Sequence, residues 1–311
     1  MFTHTTYNTM SHAMLDFSDP LSGIHQRGQV VNPRGIPTRE VTNAHFSIAN
    51  AVDFGLPIKI NRGLSIGLAA VEAAQNLACV SFPLLAIKVA PSLRRFADYS
   101  PNGWPFFAGA YSTRIGHQFQ SVSGQLKADP ETRQAVISMW EEVDRLNDFK
   151  DRPCATEMQF LQRDGVLDLH VYMRSNDVFK GFCYDVFQFA QMQAALANIN
   201  GWSVGAYHHT AASFHVYEDE VEKLAKLTPF VTGWERMPTE PDYFRSGPFW
   251  REEKEPLYKS VLELNQRFQA MLQCLEDGNG FDVRNNVEDW YFNRINGAII
   301  TQLEKQAKGG K

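Results

Sequence analysis

The sequence is poor in cysteine, and none of its cysteines are paired. Cys79, Cys154, Cys183 and Cys274 are the four, and no two stand at C-x-x-C spacing. That excludes a zinc ribbon or a dithiol redox pair, and no metal is expected. An excess of positive charge is also missing. Thirty basic side chains face 35 acidic ones, for a net charge of -5, whereas a protein that neutralises a phosphate polyanion is usually basic. Direct nucleic-acid binding is therefore not expected, and a nucleotide ligand would be a small free one held by a few local arginines. No uninterrupted apolar run reaches membrane length. The most apolar stretch, residues 66–90, is interrupted by Glu72, Gln75, Asn76 and Lys88 and broken by Pro83. It reads as a buried helix and a turn, and no membrane contact is expected. The first residues, Met1-Phe2-Thr3-His4-Thr5, carry neither the cationic nor the apolar region of a secretion signal. With scattered thiols, that points to a reducing cytoplasm. Internal repeats, low-complexity segments and a convincing linker are absent too.

What is present is core material. Apolar residues make up 44% of the chain, with 22 Phe, 10 Tyr and 6 Trp, which excludes wholesale disorder. Residues 1–30 are polar and irregular and read as a flexible or draped arm. Residues 40–60 alternate, first at Ala44, Phe46 and Ile48 and then at Val52, Phe54 and Leu56, as strands do. Leu64 to Val80 has helical spacing with Glu72 inside it. Asp98 to Pro105 is rich in turn formers, Asp129 to Thr132 opens a turn or a helix, and Ala135 to Trp140 is a short apolar strand. Arg163-Asp164-Gly165 sits between two alternating runs, which predicts a hairpin. Asp185 to Ile199 reads as a buried helix, Ser213 to Tyr217 as a strand, and residues 256–275 and 287–307 as amphipathic helices. The fold class expected is α+β, one domain over residues 1–311.

Chemistry-bearing residues cluster in the middle of the chain. A lone cysteine usually ends as a small buried hydrophobe. Cys154, however, follows Arg152 and Pro153 and precedes a strand, and a nearby cation lowers a thiol's pKa. Cys183 is its rival, in what reads as a turn among aromatics; Cys79 and Cys274 fall on apolar helical faces. Arg174 ends an apolar strand with Ser175 beside it, a fork and a hydroxyl suited to phosphate. Arg34 and Arg133 sit in turn-like stretches and are by themselves ordinary surface charges. His215 and Tyr217 share one face of their strand, as sugar-binding residues or as a satisfied core pair. Glu72 is a carboxylate on an apolar helix, either at a rim or as a buried acid-base group with a raised pKa.

Together these stretches resemble the thymidylate synthase superfamily. Asp129-Pro130-Glu131-Thr132-Arg133-Gln134 through Ser138-Met139-Trp140 is similar to its D-P-x-S-R-R-x-x-x-S-x-W stretch. Pro153-Cys154 resembles its nucleophile motif, Arg174-Ser175-Asn176-Asp177-Val178-Phe179 with Gly181 its R-S-x-D-x-F-x-G motif, and His215-Val216-Tyr217 its H-I-Y strand. The resemblance implies a large mixed sheet packed by helices and a sheet-mediated homodimer. It implies that Cys154 adds to C6 of a pyrimidine nucleotide, that Glu72 orders water and moves protons, that Tyr111 lies near the nucleophile and C5, and that Asp177 lies near the folate and the base. Arg34, Arg174 and Ser175 would hold the 5′-phosphate, joined by Arg133 from the neighbouring subunit, and His215 and Tyr217 the 3′-hydroxyl. The implied cofactor is 5,10-methylenetetrahydrofolate.

Departures from the synthase pattern refine this. Asp185 stands where a synthase has Asn. A carboxylate accepts from the cytosine amino group and can share a proton with its N3, so Asp185 argues for cytosine. The Met173 to Val178 and Ser213 to Tyr217 runs look closer to the deoxycytidylate hydroxymethylase branch. Ala155 replaces a His after the nucleophile, Leu93 to Asp98 replaces a tryptophan-rich stretch, Gln134 replaces a second arginine, and Gln306 to Lys311 replaces an apolar tail. A wetter site lets water capture a methylene before hydride reduces it. The expectation is a deoxycytidylate 5-hydroxymethyltransferase acting on dCMP. The alternatives are a reductive dCMP methyltransferase, a CMP or dUMP hydroxymethylase, or a catalytically silent nucleotide-binding relative.

Overall fold

The computed structural model describes residues 3–51, 64–227, 258–278 and 290–309. The strands expected around Val52, Phe54 and Leu56, residues 256–257 and 287–289 of the last two helices, and residues 310–311 of the tail lie outside them. The chain runs β1 (Thr3–Tyr7), α1 (Met10–Ser18), α2 (Ile24–Arg27), β2 (Gln29–Val31), β3 (Thr38–Ile48), α3 (Ile66–Ala78) and α4 (Pro83–Val89). It continues through β4 (Asp98–Tyr99), β5 (Pro105–Phe106), α5 (Tyr111–Ala128), β6 (Val136–Ser138), α6 (Val143–Leu146), β7 (Ala155–Arg163), β8 (Val166–Met173) and β9 (Asn176–Asp177). It closes with α7 (Phe182–Asn200), β10 (Ser203–Tyr217), α8 (Val221–Ala225), α9 (Val261–Glu276) and α10 (Trp290–Gly309).

The sheet is large and mixed. Its path is β1-β3-β10-β8-β7-β6, with β2 added beside β3 and β9 beside β10. β10 runs antiparallel to β3 but parallel to β8, and β7 and β8 form an antiparallel hairpin. The turn of that hairpin puts Asp164 at φ 51° and Gly165 at φ 76°. Two successive positive φ angles match the right-handed twist of the flanking strands, as the Asp-Gly pair predicts. Between Val204 and Tyr207 the register of β10 slips. Gly205 sits at the slip, where a Cβ would fall 2.0 Å from Asp168 Oδ1. The buried Gln193 amide donates to the Gly205 and Ala206 carbonyls that the irregular ladder leaves free.

Local signals set the helix ends. Ser65 caps α3 by accepting from the Leu68 N–H, and Ser260 caps α9 in the same way. Cys79 ends α3 in the left-handed region at φ 55°, so it is a terminating residue rather than one on a helical face. α7 is buried nearly all round, which fits a central helix under a sheet. Its first turn contains Cys183, 1% exposed, where the sequence read a turn.

The first thirty residues are the main departure from the sequence reading. They are not a draped arm in the described structure. β1 pairs in parallel with β3, and α1 buries Met10, Ala13, Met14 and Phe17. Phe17 lies 5.0 Å from Phe46, 4.9 Å from Phe214 and 5.4 Å from Phe182, ring centre to ring centre. The segment's polar composition masks a helical face of only four apolar residues, and that face anchors it. One apolar cluster extends from Tyr7 to Ile299. Among the described residues no helix is long and apolar enough to cross a membrane.

Candidate active site

Strand pairing brings the central motifs to one place. Ala155 of β7 pairs with Met173 of β8, so Cys154 and Arg174, each one residue beyond its strand, become neighbours. The Arg174 N–H donates to the Cys154 carbonyl at 2.9 Å, and its Nε donates to the Pro153 carbonyl at 2.9 Å. Its Nη2 stands 4.0 Å from Cys154 Sγ, and its guanidinium lies over Trp140. β9 pairs Asn176 with Phe214 and Asp177 with His215, which draws the Arg174–Gly181 segment against the end of β10.

A cavity of about 350 Å³ opens at this junction. Cys154, Glu72, Tyr111 and Asp185 all line it, from β7's leading edge, α3, α5 and α7. Tyr111 hydroxyl accepts from the Ala155 N–H at 3.2 Å and donates to Asp185. Asp185 Oδ2 accepts from Asn176 Nδ2 at 2.7 Å, and Gln188 Nε2 approaches Oδ1 at 3.4 Å. Gln188 is in turn held by Asn76 of α3 at 2.8 Å. Asp185 is thus a buried carboxyl fixed by amides on two elements, as a group that reads a ligand edge must be. Glu72 has no such shell: its Oε2 is buried without a hydrogen-bond partner.

The electrostatics follow from burial. Burial, reinforced by the Asp185 and Asp151 charges, pushes the Glu72 carboxyl up to about 8. Burial lifts Asp185 to about 7 and Asp151, a third cavity carboxyl, to about 6. The Cys154 thiol is also pushed up, to about 12, by burial and the Asp185 charge, against the pull of Arg174. This corrects the expectation that Arg152 activates the sulfur. The Arg152 guanidinium turns to the Asn147 carbonyl and Asp148, and desolvation outweighs the remaining cation. In the ligand-free site the thiol is neutral, so its attack must be coupled to loss of its proton to a carboxylate.

These shifts give a stability prediction. Each of the three carboxyls holds its proton to a higher pH when folded than its ordinary value of about 4 allows. Between that value and the folded ones, the folded chain binds more protons than the unfolded chain. Stability contributed by the protonated forms is therefore full below about pH 4 and is lost progressively as pH rises from there to roughly 8. The ligand-free melting temperature should fall over that window, and the fall should shrink in a Glu72→Gln, Asp151→Asn, Asp185→Asn triple variant. Equal slopes in the two proteins would contradict these protonation states.

The other expected residues are distributed unevenly. Asp177 Oδ1 accepts from the Phe179 and Lys180 N–H groups, while its Oδ2 is buried without a partner. His215 is 8% exposed, its pKa lowered by burial, and its ring meets Tyr217 edge-on at 5.4 Å. Lys180 connects the two regions: it lines the cavity, and its Nζ lies 4.4 Å from the Tyr217 ring centre. Ser175 is half-buried beside Arg174. Arg34 and Arg133 do not line the cavity, and neither do Arg174, Ser175, Asp177, His215 and Tyr217. Arg34 is exposed at φ 55° and Arg133 is exposed after a turn, and neither guanidinium makes an ion pair among the described residues. Cys183 belongs to the core, and burial pushes Cys79 up to about 12.

Sequence reasoning missed Asp151, Asn176 in its role as Asp185's anchor, Gln188 and Asn76. Asn176 stood inside a motif already read, and Asp151 stands three residues before the nucleophile candidate. Gln188 follows Asp185 by three residues, one helical turn. Outside the cavity, His208 lies 3.8 Å from Asp168. Among the described residues no group of three or more His, Cys, Asp or Glu side chains is placed to hold a metal ion.

The thymidylate synthase family model matches residues 94–229. That span contains Tyr111, Arg133, Cys154, Arg174, Ser175, Asp177, Asp185, His215 and Tyr217; Arg34 and Glu72 precede it. The chain is also similar to a deoxyuridylate hydroxymethyltransferase of Bacillus phage SP01, 31% identical over 230 residues. The match covers 68% of this chain and 58% of that protein, so the chain spans little more than half of the relative's length.

Proposed function

Because the chain carries a thymidylate synthase family domain with that family's mixed sheet, we propose that it hydroxymethylates the C5 position of a pyrimidine nucleotide, with dCMP as the substrate and residues 1–311 acting as one catalytic domain. The observation that carries the reading is the meeting of Cys154, Glu72, Tyr111 and Asp185 around one cavity. Cys154 sulfur adds to C6, and its proton passes to a cavity carboxylate. The addition makes C5 nucleophilic. Asp185 accepts from the cytosine amino group and shares a proton with N3, which disperses the charge that builds in the ring. After C5 has gained its new substituent, its proton leaves to a carboxylate and the new carbon is freed from its carrier as an exocyclic methylene. Water then enters at the new carbon, and the ring expels Cys154. Glu72, still protonated at neutral pH, supplies protons to this sequence.

The family's cofactor fits the residues present. Leu68, Leu93, Phe96 and Phe107 give the cavity apolar surface for a flat ring, and Asp177, whose Oδ2 is buried without a partner, is assigned to a ring N–H. When bound there, 5,10-methylenetetrahydrofolate supplies a one-carbon unit at the formaldehyde level. Arg174, Ser175 and Arg34 are assigned to the 5′-phosphate, Arg133 to the phosphate of a partner subunit in a homodimer, and His215 with Tyr217 to the 3′-hydroxyl.

A second reading has its own support. The phage relative is named for deoxyuridylate, and a carboxyl pushed up to about 7 is partly neutral at neutral pH. A neutral Asp185 offers an O–H and a C=O, which complement O4 and N3–H of uracil as an amide does. Mass analysis of products from dCMP, CMP and dUMP, each with methylenetetrahydrofolate, separates the readings. The expected product is 5-hydroxymethyl-dCMP with no dihydrofolate. A methylated product with dihydrofolate assigns the reductive reaction. Dominant hydroxymethyl-dUMP moves the base assignment, and no product from any of them leaves a silent relative.

A further inference from the structure

Asp151 is the cavity's unassigned acid. It lies on the loop before Cys154 and lines the same wall. Its carboxylate accepts from the Gly109 and Arg152 backbone N–H groups. The Gly109 contact is close enough that a Cβ at Gly109 would lie 2.6 Å from Asp151 Oδ2, so the loop before α5 is shaped around this side chain. Its charge is felt by Glu72, Tyr111, Cys154 and Asp185. The groups acting on it are Arg174, which stabilises its anion, and Asp98, which opposes it. Asp151 is therefore within electrostatic reach of every group placed on the pyrimidine ring. None of the steps above gives it a task.

We propose that Asp151 is the base that takes the proton of the water captured at the C5 methylene, an inference that rests on the hydroxymethylase reading of the site. In that step the water oxygen bonds to the methylene carbon, and one water proton passes to Asp151. The electron pair of the exocyclic double bond moves into the ring. It then re-forms the C5–C6 double bond as the C6–S bond breaks, and Cys154 leaves as thiolate and takes a proton from Glu72, while Asp151 returns its proton to solvent. No oxidant or reductant is needed. The division of labour with Glu72 has a physical basis. Both are half-buried carboxyls, but Asp151 has two backbone donors and Arg174 to hold its anion, whereas the buried Glu72 Oε2 has no partner. Asp151 near 6 is ionised at neutral pH and able to accept, and Glu72 near 8 is protonated and able to donate.

The step runs in reverse without folate, which gives a test independent of the loaded enzyme. In ¹⁸O-water, Cys154 addition to 5-hydroxymethyl-dCMP, loss of the hydroxyl and return of water exchange the hydroxymethyl oxygen. C5 hydrogen exchange in dCMP needs the Cys154 addition and proton transfer at C5 but no water addition, and serves as the control. Asp151→Asn keeps an acceptor for both backbone N–H groups and should fold. It should lose oxygen exchange by on the order of 10²-fold or more, the range typical of a positioned acid or base, while C5 hydrogen exchange stays within about twofold. Asp151→Ser, which leaves room for a free water, should behave alike and serves if the first variant misfolds. Oxygen exchange at the wild-type rate in either folded variant overturns the assignment, as does a wild-type enzyme that exchanges C5 hydrogen but not oxygen. If the wild type exchanges neither, with 5-hydroxymethyl-dUMP and dUMP also tried, the hydroxymethylase reading itself fails.

Discussion

Cys154→Ser should lower turnover by on the order of 10⁴-fold or more, as removal of a nucleophile does elsewhere, while nucleotide affinity changes by less than about threefold. Cys154 sits at the mouth of β7 with its carbonyl tied to the Arg174 N–H, so the side chain is delivered into the cavity by backbone pairing that serine leaves intact. Serine is close to isosteric, and its loss is chemical. A hydroxyl is a far weaker nucleophile than a thiol, and none of the described residues lining the cavity is a histidine that could activate it. Arg174 stabilises the thiolate form from 4.0 Å, yet burial and the Asp185 charge outweigh it. The thiol must therefore shed its proton during the attack. Affinity survives because the groups proposed to grip the nucleotide are other side chains. Steady-state turnover together with equilibrium binding of dCMP checks both halves. Turnover within about tenfold of wild type would remove the covalent step from the account.

Asp185→Asn should shift the dCMP-to-dUMP preference toward dUMP by on the order of 10²-fold or more, the scale on which a site built for one hydrogen-bonding edge rejects another. The substitution exchanges an acceptor that can share a proton for an amide with one fixed donor and one fixed acceptor. Asparagine complements the N3–H and O4 of uracil, and it places its N–H₂ against the amino group of cytosine. The surroundings tolerate the change: Asn176 Nδ2 and Gln188 Nε2 both approach Asp185 as donors, and the amide oxygen can accept from one of them while its N–H₂ turns to the ligand. Removing the Asp185 charge should also let the Cys154 thiol ionise more easily, since that charge is among the causes holding it up. The ratio of kcat/KM for the two nucleotides, measured in wild type and variant, is the readout. An unchanged ratio would mean that Asp185 does not face the base.

Much of the site was legible because its residues come in short motifs at strand ends. A hairpin with an Asp-Gly turn fixes the partners across it, so the Asp164–Gly165 signal already implied that residues near 154 and 174 meet. The helical spacing around Glu72 and the apolar run after Asp185 likewise read correctly, since a buried helix needs apolar residues on most of its faces. What stayed hidden depends on long-range packing. The fate of residues 1–30 rests on Phe17 reaching Phe46, Phe182 and Phe214, and no local pattern states that contact. The Cys154 shift was misread because a neighbour in sequence, Arg152, points elsewhere and because burial is not a sequence property. Asp151 resembles any loop carboxylate until the fold carries it to the cavity wall.

The proposed chemistry turns on the sulfur of Cys154 bonding to pyrimidine C6, and the most direct test is to stall that bond. A fluorine at C5 cannot depart as a proton does, so 5-fluoro-dCMP with methylenetetrahydrofolate should halt the cycle with enzyme and nucleotide still joined. Mass spectrometry of the denatured protein should find the chain heavier by nucleotide and one-carbon carrier, with the added mass on the peptide that contains Cys154. A chain of native mass, or an adduct on Cys79, Cys183 or Cys274 instead, would contradict it.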